Sequence, residues 1–241
     1  MIALRDVTLT FAGRGARSLR DALGRLAKRE RKVEPGRVTA LRGVSLEVRR
    51  GERVGIIGFN GAGKTTMLKV MCGIYPPTEG RVTVEGDIAC LFELATGFEM
   101  EATGWENIRT RGLLLGLTAA ELREREREIA AFTELGDALD RPVKTYSAGM
   151  SMRLAFAVST SIAPDVLLLD EVIATGDIRF QEKAQRRLDA MVAQASILVL
   201  VSHSMETVRR MCGRVVWLEQ GRIRGDGRPD EVIGAYQAAS A

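Results

Sequence analysis

The chain has 241 residues, 46% of them hydrophobic, and a net charge of +4, a composition that suits a buried core and argues against disorder. Three cysteines, Cys72, Cys90 and Cys212, are odd in number and lack metal-type spacing, as expected of a reducing cytosol. The start of the chain carries no long apolar leader core, and no run reaches the roughly 18 apolar residues of a membrane span, so a membrane role would have to come through a partner.

Residues 2–11 alternate apolar and polar side chains through Ile2, Leu4, Val7, Leu9 and Phe11, which predicts a half-buried strand closed by Phe11. Between Arg14 and Arg37 nine basic residues face three acidic ones, so this stretch carries more positive charge than the whole chain nets. Leu19, Leu23 and Leu26 recur there at helical spacing until Pro35-Gly36, which reads as a short amphipathic helix inserted between strands. Its charge suits anionic lipid headgroups, an anionic substrate or nucleic acid, or simply a solvated helix face. Neither aromatic interleaving nor a nucleic-acid motif accompanies it. Strand character resumes over residues 38–48, and Val54-Gly55-Ile56-Ile57 is a second, buried strand.

That strand runs into Gly58-Phe59-Asn60-Gly61-Ala62-Gly63-Lys64-Thr65-Thr66, with a helix expected from Thr65 to Val70. Glycines at 58, 61 and 63 let the backbone turn tightly and aim successive N–H groups inward, which with the positive helix end forms a phosphate cradle. Lys64 adds a point charge for the β- and γ-phosphates, and the Thr65 hydroxyl suits Mg²⁺. A strand follows over residues 81–85. Thr118-Ala119-Ala120-Glu121 forms a capping box for a helix that should reach Leu135 and stop at Gly136. A further helix should run from Gly149 or Met150 to about Ile162, preceded by Tyr146-Ser147-Ala148-Gly149. That loop is equally a second phosphate-binding loop and an N-capped helix start.

After Pro164 the run Val166-Leu167-Leu168-Leu169 predicts a strand buried on both faces. Asp170 and Glu171 then emerge at its carboxyl end, where open α/β sheets bind ligands. Asp170 suits a Mg²⁺ shell and Glu171 an attacking water. Thr175-Gly176-Asp177 is a turn able to carry Asp177 toward a facing subunit. A helix over about 181–192 leads to a strand at 197–201, after which the sole histidine, His203, reaches the same sheet edge; it is either structural or directed at a γ-phosphate. Strands at 215–218 and 222–224 and a helix from Asp230 end the α/β pattern.

In this order and spacing the elements resemble the nucleotide-binding domain of ABC transporters. The resemblance covers nearly the whole chain: Walker A at 58–66, a signature loop at Ser147, Ala148, Gly149 and Met150 followed by Arg153, Walker B at 166–170 with Glu171, a D-loop at Asp177 and the switch histidine His203. It implies an α/β P-loop NTPase fold with a mainly parallel sheet, an N-terminal antiparallel subdomain and an inserted helical subdomain. The expected organisation is one ATP-binding domain over 1–241, with the basic insertion at 12–37 and the helical subdomain at 98–162. ATP and Mg²⁺ are the implied ligands, held between two copies of the chain. Phe11 is similar to the aromatic residue that stacks on adenine, although a core role serves equally.

Two departures stand out: Ala148 replaces the signature's first glycine and Met150 its glutamine. The glutamine expected before the helical subdomain is missing, and Glu93 is the nearest candidate for its metal-sensing role. Residues 93–98, 103–108, 146–158 and 170–177 resemble the subgroup that exports O-antigen, capsule, teichoic acid or related glycans, and the basic insertion fits it too. The implied function is the ATPase subunit of a polysaccharide exporter, acting with a separate membrane permease at the cytoplasmic face of the inner membrane, with lipid-linked glycan near the insertion and no nucleic acid. Some members of that subgroup add a C-terminal carbohydrate-binding domain, not expected here. Rival readings are a small-molecule importer subunit, a non-transport ABC ATPase, which would call for a long coiled coil or tandem cassettes, and a different P-loop enzyme such as a small-molecule kinase or a GTPase, the last of which would need an Asn-Lys-x-Asp element that this sequence lacks.

Overall fold

The computed structural model describes residues 1–12, 37–92, 94, 97–170 and 178–240. In chain order these form β1 (Ile2–Ala12), β2 (Arg37–Val48), β3 (Arg53–Ile57), α1 (Lys64–Met71), β4 (Glu79–Val84) and β5 (Ile88–Leu91), followed by α2 (Gly104–Leu114) and α3 (Ala119–Thr133). After two 3-10 turns come α4 (Ala148–Ser159), β6 (Val166–Asp170), α5 (Ile178–Gln194), β7 (Ile197–Val201), α6 (Met205–Met211), β8 (Arg214–Glu219), β9 (Arg222–Gly227) and α7 (Pro229–Ser240). The chain divides into two compact units, one of residues 1–48, 56–84 and 215–241, the other of 49–55 and 85–214. The basic insertion expected as a helix falls at 13–36, outside the described residues.

In the first unit an antiparallel sheet has the order β2-β1-β4. Ile2, Leu4, Val7 and Leu9 are its buried side. The three-residue step from Leu4 to Val7 would break strict alternation, but the register shifts there and Asp6 takes φ 47°. This bulge returns Val7 to the core face. Ser45 holds it: the Asp6 backbone N–H donates to Ser45 Oγ at 2.9 Å, and that hydroxyl donates to Asp6 Oδ1 at 3.0 Å. The unit's other strands run in the order β3-β8-β9. β8 and β9 form a hairpin closed by Gln220 and Gly221, both with positive φ, as a two-residue turn matched to strand twist requires.

In the second unit β5, β6 and β7 are parallel, in the order β5-β6-β7-β3. Val166, Leu167, Leu168 and Leu169 are all buried, as are the five residues of β7, which is why these strands are apolar runs without alternation. A helical block packs from α2, α3 and α4. Capping boxes start two of these helices, Thr103 with Glu106 and Thr118 with Glu121, and the hydrogen bonds from each threonine hold the carboxyl below its ordinary pKa. α3 ends at Thr133, two residues before the expected stop, because Glu134 itself takes the left-handed conformation that ends a helix.

α3, α4 and α5 meet through Phe132, Phe156 and Phe180, whose ring centroids lie 5.9–6.2 Å apart. Around them Lys183 donates to the Phe132 carbonyl and to Glu134 Oε1, and Arg187 to the Thr160 carbonyl and to Glu128 Oε1. At the near end of α2, Asn107 is buried and closes the preceding loop. It accepts from the Glu99 N–H and donates to the carbonyls of Glu99, Ala102 and Thr103.

Candidate nucleotide site

In the first unit the predicted loop leaves β3 and enters α1 one residue earlier than expected, at Lys64. Gly58, Gly61 and Gly63 have φ of 152°, 78° and 104°, values that side chains with a Cβ rarely adopt. A Cβ on Gly58 would also collide with the Leu218 carbonyl oxygen of β8. The hairpin thus lies against the loop, and it bonds to it: the Gly221 N–H donates to the Ala62 carbonyl at 2.9 Å. Lys64 is 7% exposed, and its ammonium folds back onto its own loop, donating to the carbonyls of Gly58 at 2.8 Å and Phe59 at 3.0 Å.

The start of α1 differs from those of α2, α3, α4 and α6. Thr103, Thr118, Ser147 and Ser204 each accept a backbone N–H with a side-chain oxygen at the head of α2, α3, α4 and α6. α1 has Gly63 at that position, no side-chain cap and no acidic residue in its first turn. The N–H groups and positive dipole end of a helix start of this kind favour an anion. Phe11, at the end of β1, is 37% exposed and meets Tyr75 edge to face, centroids 5.3 Å apart, with the Lys69 ammonium 5.5 Å from the Tyr75 ring. The sequence reading missed Tyr75, which carries no motif of its own.

In the second unit the carboxyl ends of parallel strands gather the other predicted groups. Asp170 closes β6 and pairs in register with Val201 of β7, so His203 lies two residues beyond that pair along the neighbouring strand. His203 is exposed, between buried Ser202 and exposed Ser204. The backbone is fixed on both sides of it, because the Ser204 N–H donates to Ser202 Oγ while Ser204 Oγ caps α6. Among the described residues no cluster of three His, Cys, Asp or Glu side chains forms a protein-only metal cage. Hydroxyl and carboxylate oxygens, the types that Thr65 and Asp170 carry, are the donors that suit Mg²⁺. Glu171, Asp177 and Glu93 lie outside the described residues.

The signature helix α4 begins at Ala148, before either position expected, because Ser147 is its cap: the Met150 N–H donates to Ser147 Oγ at 3.2 Å. Tyr146 anchors the loop by donating to the Ala138 carbonyl at 2.7 Å, and burial pushes its phenol above the ordinary value. Gly149 has ordinary helical φ, and a Cβ there would touch only Ser147 Oγ, at 3.9 Å. A glycine near a helix start weakens it without local need, which suits a surface that another molecule approaches closely. An open cleft of about 590 Å³ borders this helix start, lined by Glu134, Arg141, Ser147, Gly149 and Arg153. Arg153 sits over the Phe180 ring at 5.0 Å and 3.8 Å from Glu134, a bridge that no spacing in the sequence announces.

Comparison with known proteins agrees with this arrangement. The sequence profile of the ABC transporter family matches residues 41–174. The O-antigen export system ATP-binding protein RfbE of Yersinia enterocolitica is 43% identical over 228 residues, 92% of this chain and 95% of that protein. RfbB of Myxococcus xanthus, of the same description, is 43% identical over 99% of this chain, which spans 56% of that longer protein. The teichoic acids export ATP-binding protein TagH of Lactococcus lactis is 40% identical over 82% of this chain and 42% of its own length. Among solved structures, the ATP-binding cassette MJ0796, a dimer bound to ADP and phosphate, matches with a TM-score of 0.69 at 22% identity, covering 95% of this chain and 99% of that one. The last likeness is one of fold; the profile and the relatives, taken with the loop and strand-end geometry, show that this chain belongs to the ABC transporter family.

Proposed function

We propose that this chain is the ATP-hydrolysing subunit of an ABC exporter that moves a lipid-linked polysaccharide across the inner membrane. The observation that carries the reading is the glycine loop into α1, the helix start left without a side-chain cap, in a chain 43% identical to an O-antigen export ATP-binding protein over 95% of that protein. In this reading the loop's N–H groups receive the triphosphate. Lys64 exchanges the Gly58 and Phe59 carbonyls for phosphate oxygens, and Phe11 offers its ring to adenine. Thr65 and Asp170 are the Mg²⁺ ligands, the ion supplying neutralisation of phosphate charge, and Glu93 is a sensor of that site.

Glu171 accepts the proton of the water that attacks the γ-phosphorus as the bond to the bridging oxygen breaks, and His203 steadies the γ-phosphate. Ser147, Ala148 and Gly149 of a second copy close over the nucleotide, with Asp177 at the subunit junction, so turnover requires a homodimer. Among the described residues no helix is long and apolar enough to cross a membrane. In this reading the protein works from the cytoplasmic face, against a separate permease. The basic insertion meets the phosphate of the lipid-linked glycan.

The test is genetic and chemical together. Cells carrying Lys64→Ala in this chain should lose surface glycan and accumulate its lipid-linked precursor inside, and the purified variant should lose ATPase activity. Normal surface glycan in those cells would overturn the export assignment even if the ATPase were lost.

A further inference from the structure

Three aromatic residues of the first unit form a ladder that ends on the phosphate loop. Phe59, inside the loop, is 44% exposed, and its ring lies 5.1 Å from that of Tyr236 on α7. Tyr236 in turn meets Trp217 of β8 edge to face at 5.7 Å. Trp217 is buried, and its indole N–H has no hydrogen-bond partner among the described residues. A phenylalanine would fill that position without leaving a donor unsatisfied, so the indole is retained for its large ring rather than for hydrogen bonding. α7 is itself seated by Val232 and Ile233, both buried, one turn or less from Tyr236. The rung at the far end is the residue whose carbonyl accepts from Lys64 at 3.0 Å and from the Ala62 N–H at 3.1 Å.

We propose that Tyr236 and Trp217 are positioning residues for the phosphate loop: by holding the Phe59 ring they fix the glycine-rich backbone in its phosphate-ready form, so that helix α7 sets nucleotide affinity. The loop contains three glycines with positive φ and has much conformational freedom to lose when a ligand binds. Anchoring the side chain of its second residue removes part of that loss in advance, the general route by which preorganisation raises affinity. The ring of Tyr236 supplies the contact; its hydroxyl is not required for it.

This inference rests on the proposed ATP site, and the experiment separates the two. Titration of the full chain with a fluorescent ATP analogue and Mg²⁺ should show binding weakened about fivefold in Tyr236→Ala and by a similar factor in Phe59→Ala, while Tyr236→Phe stays at the starting affinity. Combining the two alanine changes should cost little more than either alone, because both break the same contact. Phe59 is exposed, so its variant keeps the test open should Tyr236→Ala fail to fold. In a Trp105→Phe background, nucleotide should alter Trp217 emission, and Phe59→Ala should abolish that response. Unchanged affinity in Tyr236→Ala or Phe59→Ala, or losses that multiply in the double variant, would overturn the ladder's role. Absence of nucleotide binding by the unaltered chain would instead overturn the function on which it rests.

Discussion

Ser147 is asked to do two things, and one substitution separates them. Its hydroxyl caps α4 by accepting the Met150 N–H at 3.2 Å, and no acidic residue occupies the first turn of that helix. Aspartate caps a helix as well as serine does, and its charge at the positive end of the dipole adds about 0.3–1 kcal/mol. Ser147→Asp should therefore leave thermal stability unchanged or raised, whereas Ser147→Ala should lower it by about 1 kcal/mol. Against a nucleotide the order reverses. A carboxylate facing a phosphate charge at about 4 Å, in an effective dielectric near 20, costs about 4 kcal/mol, roughly a thousandfold in association. Alanine forfeits one hydrogen bond to a charged group, about 1.5–3 kcal/mol. Light scattering with ATP and Mg²⁺, in a Glu171→Gln background that should block hydrolysis under the proposed function, should show a dimer for serine, a weakened one for alanine and none for aspartate. An aspartate variant that dimerises with nucleotide at the original protein concentration would refute the placement of Ser147 against a phosphate.

Asn107→Ala should destabilise the protein by about 2–3 kcal/mol in urea titrations, since it strands the Glu99 N–H and releases three carbonyls; a cost under about 0.5 kcal/mol would contradict the burial argument. Burial pushes the Cys212 thiol from 9.0 up to about 12, so it should resist thiol reagents at pH 8 until the protein unfolds. The sign follows: between pH 9.0 and about 12 the native thiol keeps a proton that the unfolded one has lost, and stability falls as pH rises through that window. Rapid labelling of native Cys212 would contradict this. Neutralising several arginines between Arg14 and Arg37 should lower glycan transport and leave basal ATPase activity intact; unchanged transport would remove the role assigned to that insertion.

What could be read without coordinates was whatever has local cause. The runs of β6 and β7 announced burial on both faces, the Thr118 box announced α3, and the glycine loop announced its own geometry. α2 escaped because its buried positions are Gly104, Asn107, Ile108 and Gly112, too polar and too small to make an apolar stripe, although Thr103 and Glu106 offered a cap to find. β5 and α6, four and seven residues long, are too short for periodicity to speak. Boundaries moved where another residue overruled a glycine: the Ser147 side chain starts α4 ahead of Gly149, and the left-handed backbone of Glu134 ends α3 ahead of Gly136. Tyr75 beside Phe11, Tyr236 beside Phe59 and Arg153 over Phe180 join residues 27 or more positions apart, and only folding brings them together.

Lys183 and Arg187 each grip more than one neighbour of α5: the former holds the end of α3 through Phe132 and Glu134, the latter reaches both Glu128 and the Thr160 carbonyl just past α4. With three phenylalanines wedged between them, these helices cannot slide independently without breaking charged contacts and opening a void. They form a stiff crank. The serine end of α4 is the tip of that crank, so in the proposed dimer a stroke that closes on the nucleotide need not be generated where it is felt.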